Sequence, residues 1–150
     1  MKPSEFFAHW KLVRRGLMAV LDGFQESELH FKPYEGSWCV GEILLHIADA
    51  EDGWFRYAVA HEYHEWPSSY TLENYPTFEA IKTLLTEVHD WTEKYIAELN
   101  PDDYHRVIKL PWDEEIHLGW IIWHVLEHEI HHRGELSLML GLLGREGLEV

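Results

Sequence analysis

Apolar residues recur three and four positions apart along four stretches of the chain, a spacing that predicts amphipathic helices rather than strands. The helices are expected from about Ser4 to Phe24, from about Trp38 to His61, from Thr77 to Leu99, and from near Leu118 until the pattern fades at Gly141 to Gly147. The expected N-caps of the first three are Ser4, Ser37 and Thr77. The core-facing stripe of the first helix is expected to contain Phe6, Trp10, Val13, Leu17, Val20 and Phe24.

Turn-forming residues separate these stretches. Lys32–Pro33 and Glu35–Gly36 break the segment before the second helix. Two further segments, Trp66–Ser69 and Tyr75–Pro76, bracket a longer connection between the second and third helices. Arg106–Leu110 is suited to a short extended piece. Because no repeat or long linker divides the chain, the pattern predicts one all-α domain over residues 1–150, built as a four-helix bundle.

Composition and charge exclude several classes of protein. The eight Trp, seven Tyr and six Phe residues can fill a proper core in a chain of 150 residues. A net charge of -15 repels phosphate backbones, so we expect no nucleic-acid partner. No apolar run is long enough to cross a bilayer, and no apolar signal segment follows a basic start. The single Cys39 excludes an intrachain disulfide, so a cytoplasmic protein is expected.

Two histidines near the C-terminus are the strongest candidates for chemistry. His128 and His132 are four positions apart and share the apolar stripe of the fourth helix, so their imidazoles face the core about one turn apart. Such a pair can chelate one divalent ion and leave other coordination positions open. The alternative is a hydrogen-bonded polar pair inside the bundle. We favour the metal site.

The spacing of this pair does not identify a third ligand. Seven other histidines are formal candidates, namely His9, His46, His61, His64, His89, His105 and His117. His46 is the best placed of them, because it lies in the middle of the second helix at the edge of its apolar stripe. His124 and His131 are expected outside the first coordination shell, and His89 is expected to be a packing or hydrogen-bonded residue.

Two segments resemble a known family. The segment SWCVGEILLHIADAEDGWF resembles the second helix of the DinB/YfiT-like metal-binding bundles, and HVLEHEIHHRGELSLML resembles their last helix. The resemblance covers essentially the whole chain and implies an up-down-down-up four-helix bundle that is often dimeric. It also implies a divalent metal held by His46, His128 and His132. Characterised members include S-transferases that use low-molecular-weight thiols and a thiol-dependent isomerase.

The segment HEIHH, residues 128–132, also matches the zinc-protease pattern H-E-x-x-H, in which Glu129 would be the general base. Against this, only eighteen residues follow His132, and none is a histidine. Glu129 is also expected to point to the side of the metal. We therefore set the peptidase aside. Two more functions stay open: a non-catalytic metal-binding stress-response protein, and a hydrolase that uses metal-activated water.

A site of three neutral imidazoles leaves the charge of a divalent ion uncompensated, which makes the ion a strong Lewis acid. We expect it to activate a small-molecule thiol for attack on an electrophilic substrate. Zinc is the default metal, and nickel or iron suits the same ligands. Possible acceptors for the imidazole N–H groups are Glu42, Asp49 and Glu135.

Four other residues are candidates for the surroundings of the site. Trp54 and Tyr57 are candidates for a pocket wall, although aromatic residues at helical spacing are usually core. Arg133 is expected to bind an anionic group or a nearby carboxylate, and Gly134 is expected to allow close helix approach.

A second apolar stripe lies opposite the histidine pair on the last helix. It consists of Trp123, Leu126 and Ile130. Exposed Trp and Ile side chains lower solubility unless another surface buries them. We therefore expect a homodimer with Trp123 and Ile130 at or near the contact.

Overall fold

The expected all-α bundle is present in the computed structural model, which describes residues 1–149. Its four long helices have the following bounds: α1, Trp10–Asp22; α2, Val40–Asp52; α3, Phe78–Glu98; α4, Leu118–Leu142. They follow the up-down-down-up order, and residues 53–77 connect α2 to α3. α2 packs against both α3 and α4, while α1 packs mainly against α4. This arrangement places the middle of α2 beside the middle of α4.

The first helical segment departs from the prediction. A short helix, Pro3–Phe6, has Lys2 rather than Ser4 at its N-cap, and a 3₁₀ turn, Phe7–His9, joins it to α1. A 3₁₀ turn advances about 120° per residue instead of about 100°, so it shifts the phase of the stripe. Phe7 is therefore buried, and Phe6 is 56% exposed, contrary to its expected place in the core.

α2 begins two residues later than predicted. Cys39 is its N-cap, and the Glu42 carboxylate accepts a hydrogen bond from the Cys39 N–H at 2.7 Å. Ser37 does not cap the helix, because its hydroxyl donates to the Tyr34 carbonyl at 2.8 Å in the preceding turn. After Asp52 the helix continues as a π-helical segment, Gly53–Val59.

The third helix matches the prediction at its start. The Thr77 hydroxyl accepts a hydrogen bond from the Ala80 N–H at 3.1 Å and caps α3. The extended piece after α3 is also present, as β1, Val107–Lys109. It pairs antiparallel with β2, Glu115–His117, which the sequence pattern did not reveal. The turn between the strands places Asp113 in the left-handed region, with φ of +66°, without the Asn-Gly or Asp-Gly signal of a tight hairpin.

The second stripe of α4 is only partly exposed. Leu126 is buried at 4% exposure within the core of its own chain, so its expected place on an outer face is wrong. Trp123 and Ile130 are 51% and 38% exposed, as the projection predicted. Along residues 1–149, no helix combines the length and apolar character that spanning a membrane requires.

Candidate metal centre

Three imidazole nitrogens meet between α2 and α4. Nε2 of His128 lies 3.0 Å from Nε2 of His46 and 3.2 Å from Nε2 of His132. The nitrogens of all three residues lie within 4.8 Å of one another. The histidine pair of α4 is therefore joined by His46, the third residue that the sequence favoured.

The spacing of these nitrogens fits a shared divalent ion. Two nitrogens that are each about 2.0–2.1 Å from one ion lie about 2.9 Å apart at a right angle and about 3.4 Å apart at the tetrahedral angle. The Nε2 separations of 3.0 and 3.2 Å fall between these limits.

Carboxylates orient two of the three rings. Nδ1 of His132 lies 2.7 Å from the Glu135 carboxylate, and Nδ1 of His46 lies 3.4 Å from the Asp49 carboxylate. A carboxylate acceptor favours the tautomer with the proton on Nδ1, which leaves the Nε2 lone pair free. Two lone pairs therefore point towards His128, whose single N–H can satisfy only one of them. A cation among the three nitrogens would satisfy both.

The electrostatic environment keeps the two α4 imidazoles uncharged. Burial and the neighbouring His132 and His46 lower the pKa of His128 from 6.5 to about 3. Burial also lowers the pKa of His132, although the Glu135 carboxylate opposes that shift. At neutral pH both rings are in the neutral form that a metal ligand requires.

The other sequence candidates fall outside this centre. The His124 ring stacks on Trp120 with ring centroids 4.6 Å apart. The side chain of His131 is 65% exposed and lies 3.4 Å from Glu135 on the outer side. Asp49 and Glu135 are acceptors for imidazoles, as expected, whereas Glu42 is not, because its carboxylate caps α2 at Cys39.

A chain of contacts ties His46 to the connection between α2 and α3. The Trp66 indole N–H donates to Asp49 at 3.4 Å, and Asp49 in turn faces His46. Trp66 also packs flat against Gly53, where a Cβ atom would lie 2.3 Å from the indole ring. A glycine at this position lets Trp66 approach the helix closely.

The aromatic residues near the site are arranged differently from the expectation. Trp54 and Tyr57 contact Trp66 with ring centroids 6.0 and 6.1 Å apart, and Trp54 also contacts His124 at 5.5 Å. These two aromatic residues belong to an aromatic cluster rather than to the walls of the cavities beside the histidines.

Trp38, which the sequence analysis did not single out, covers the imidazoles instead. Its ring centroid lies 4.7 Å from that of His46 and 6.3 Å from that of His132. Trp38 also lines two cavities, one of about 640 Å³ that reaches His132 and one of about 290 Å³ that reaches His46. Its place before the start of α2 gave no helical periodicity by which to find it.

A second polar cluster lies behind α4, buried in the bundle. Nη2 of Arg14 donates to the carboxylates of Glu51 and Glu129, and the Trp10 indole N–H donates to Glu129 at 2.6 Å. His89 lies 2.8 Å from the other oxygen of Glu51, which confirms that this histidine is hydrogen-bonded. Every long helix therefore contributes one side chain or more to the cluster. Glu129 is held here and not beside the three imidazoles, so the zinc-protease alternative lacks its general base.

Two expectations for the HRG segment are wrong. Arg133 is 8% exposed, and its guanidinium packs against Gly16 and points to the Val13 carbonyl at 3.5 Å. It therefore forms no ion pair with a carboxylate among the described residues. A Cβ atom at Gly134 would meet nothing within 4 Å, so this glycine does not mark a close helix contact.

The chain belongs to the DinB superfamily, whose model matches residues 9–136. It is similar to the crystal structure of YjoA, a DinB-like protein from Bacillus subtilis, with 17% identity, a TM-score of 0.76, and 97% of this chain and 96% of the other covered. It is also similar to a DinB-like protein from Bacillus cereus ATCC 10987, with 16% identity, a TM-score of 0.71, and 97% and 95% of the two chains covered. At these identities the likeness shows the shared fold. A comparison with curated proteins gives no match.

Proposed function

We propose that this protein is a divalent-metal-dependent enzyme that activates a low-molecular-weight thiol for S-transfer, with His46, His128 and His132 as the metal ligands. The main support for the proposal is the convergence of three Nε2 atoms, with the rings of His46 and His132 oriented from behind by Asp49 and Glu135. Membership of the DinB superfamily supports metal binding at this place.

A divalent ion held by His46, His128 and His132 would keep its full charge among three neutral nitrogens and would supply the Lewis acidity that lowers the pKa of a coordinating thiol. Zinc is the metal that we expect, with nickel or iron as the alternatives for a site with three nitrogen ligands.

The residues of the chain prepare this site in three ways. Asp49 and Glu135 hold the Nδ1 protons of His46 and His132, so that both Nε2 lone pairs face inward. Burial keeps the His128 ring neutral. Trp38 covers the rings of His46 and His132 and limits access of water from that side.

The proposal is tested by elemental analysis of protein purified without an affinity tag, followed by thiol conjugation assays. The expected result is one divalent ion per chain and a conjugation rate that chelator abolishes and metal restores. His128→Ala should lose both the ion and the activity. His64→Ala is the matched control, because His64 is an exposed histidine of the α2–α3 connection and should retain both.

Other outcomes would reject the proposal in distinguishable ways. Conjugation at equal rates by the metal-free and metal-loaded protein would reject metal-assisted thiol activation. A bound ion with hydrolytic activity and no thiol dependence would favour a metal-dependent hydrolase. A tightly bound ion with neither activity would favour a non-catalytic metal-binding protein, such as one of a stress response.

A further inference from the structure

The larger cavity beside Trp38 is continuous with the candidate metal centre. It has a volume of about 640 Å³, within the range of small-molecule sites, and His132 and Glu135 stand at one end of it. It lies between the turn before α2 and the last turns of α4. A molecule in this cavity would therefore contact the His132 imidazole, one of the three candidate ligands.

The walls of this cavity are mainly apolar and aromatic. Four large side chains that line it are exposed to solvent, which is unusual for such residues: Tyr34 at 70%, Trp38 at 50%, Leu138 at 66% and Leu142 at 58%. Ile43 and Met139 form its buried floor. An apolar ligand would remove all of these side chains from water.

The charges around the cavity disfavour an anion. Among the described residues that line it, none is a lysine or an arginine. The charged side chain in the lining is the Glu135 carboxylate, which already binds Nδ1 of His132. The chain as a whole carries a net charge of -15. A carboxylate or phosphate held against these walls, away from the imidazoles, would be desolvated without a cationic side chain to pair with it.

We infer that this cavity binds the electrophilic substrate, and that the substrate is an uncharged, mainly apolar molecule with a hydrocarbon or aromatic body. The inference rests on the proposed thiol transfer for its chemistry but not for its binding. With an aryl epoxide as the electrophile, the thiol sulfur forms a bond to an epoxide carbon and the carbon–oxygen bond breaks. Its electron pair stays on the oxygen, which takes the proton that the thiol loses.

Binding is tested without turnover by ligand-observed NMR with two unreactive probes, on the metal-free protein, in which no bound cation can attract the anionic probe. The neutral probe is 2-phenylethanol, and the anionic probe is its para-carboxylate derivative. The neutral probe should bind, and the anion should bind about tenfold more weakly or not at all. Equal binding of the two probes, or binding of neither, would overturn the inference.

Leu138→Lys tests the location of the site, since it places a cation in the wall of the cavity. We expect this variant to bind the neutral probe more weakly and the carboxylate probe more tightly. A general loss of structure would not produce such a reversal. Leu12→Lys is the matched control, because Leu12 is 52% exposed on α1 and lies outside the cavity. An unchanged preference in Leu138→Lys would place the binding elsewhere.

The two proposals fail separately. Selective binding of the neutral probe without thiol conjugation would support the inferred binding site and reject the S-transferase activity. Thiol conjugation at equal rates to styrene oxide and to its para-carboxylate derivative would retain the S-transferase and reject the cavity as the site that selects its substrate.

Discussion

Arg14 and Glu129 meet inside the bundle, where Nη2 of the guanidinium donates to Oε2 of the carboxylate at 2.8 Å. Both side chains are almost completely buried, and Glu129 directly follows His128 in α4. The contact therefore fixes the rotation of the helix that carries two of the three candidate ligands. Residues that face away from the metal centre thus help to determine which side chains face it.

Replacing Arg14 with Met should destabilise the protein by about 3–5 kcal/mol, because it leaves the carboxylates of Glu51 and Glu129 buried without their cation. Urea unfolding of the variant and of the natural protein measures the difference in their free energies of unfolding. Lys11→Met is the matched control, since Lys11 pairs with Glu93 at the surface, at 3.7 Å, and should cost at most about 1 kcal/mol. An Arg14→Met protein as stable as the natural one would show that the cluster does not hold the bundle together.

The same cluster predicts a loss of stability in acid. Burial opposes the ionisation of Glu51, but the Arg14 guanidinium and the hydrogen bond with His89 outweigh it and lower the pKa of Glu51 below 4.5. In the unfolded chain Glu51 takes up a proton near pH 4.5, whereas in the folded protein it does so only at lower pH. The stabilisation is therefore complete above pH 4.5 and is lost as the pH falls below that value.

Urea unfolding between pH 7 and pH 3 measures this dependence. Glu51→Gln should be less stable than the natural protein at pH 7 and should show a shallower fall below pH 4.5. Glu79→Gln changes an exposed carboxylate at the start of α3 and should leave the profile as it is. A Glu51→Gln profile parallel to that of the natural protein would contradict the lowered pKa.

The carboxylates behind the imidazoles should affect metal affinity without being ligands. Asp49→Asn and Glu135→Gln each keep the size of the side chain but remove the charged acceptor of an Nδ1 proton. Each should weaken metal binding by about tenfold to a hundredfold, measured by competition with a chelator of known affinity. Glu42→Gln is the control, because Glu42 caps α2 and bonds to none of the three ligands. Equal affinities in all three variants would show that Asp49 and Glu135 do not orient the rings.

Gly53 offers a more distant test of the same site. A Cβ atom there would lie 2.3 Å from the Trp66 ring, so Gly53→Ala must displace the indole that donates to Asp49. Overpacking of this kind costs about 1–3 kcal/mol, and we expect weaker metal binding as well. Gly134→Ala is the matched control, since its Cβ would meet nothing within 4 Å and Ala favours the helix by about 1 kcal/mol. A Gly53→Ala variant with unchanged stability in urea and unchanged metal affinity would contradict this role.

The sequence predicts what depends on local periodicity and misses what depends on contacts between helices. The pair His128 and His132 was predictable because residues four apart share a helix face. The Thr77 cap was predictable for the same reason, since its partner lies three residues away. In contrast, Arg14 and Glu129 are 115 positions apart, and no periodicity in the sequence predicts their contact.

Two stripes depart from the helical projection, each for a different reason. The 3₁₀ turn at Phe7–His9 places Phe7 rather than Phe6 in the core. Leu126 is buried because α4 has neighbours on more than one side: Leu126 belongs to the core cluster that contains Trp10 and Phe55. A helical projection assumes one buried face per helix and cannot anticipate a second.

The exposed part of the second α4 stripe leads to the last prediction, a homodimer. Trp123 and Ile130 are seven positions apart on one face, and both are exposed in the single chain. Trp120 and Phe6 add apolar surface beside Trp123, at 48% and 56% exposure. A twofold contact through this face would bury the same residues from both subunits.

Light scattering at micromolar concentration should give about twice the 17.8 kDa mass of one chain. Trp123→Glu should give the mass of one chain and retain its helical circular dichroism, because the side chain is outside the core. Leu12→Glu changes an equally exposed residue on α1 and should leave the dimer intact. A natural protein with the mass of one chain would reject the homodimer, and a dimer that survives Trp123→Glu would place the contact on another face.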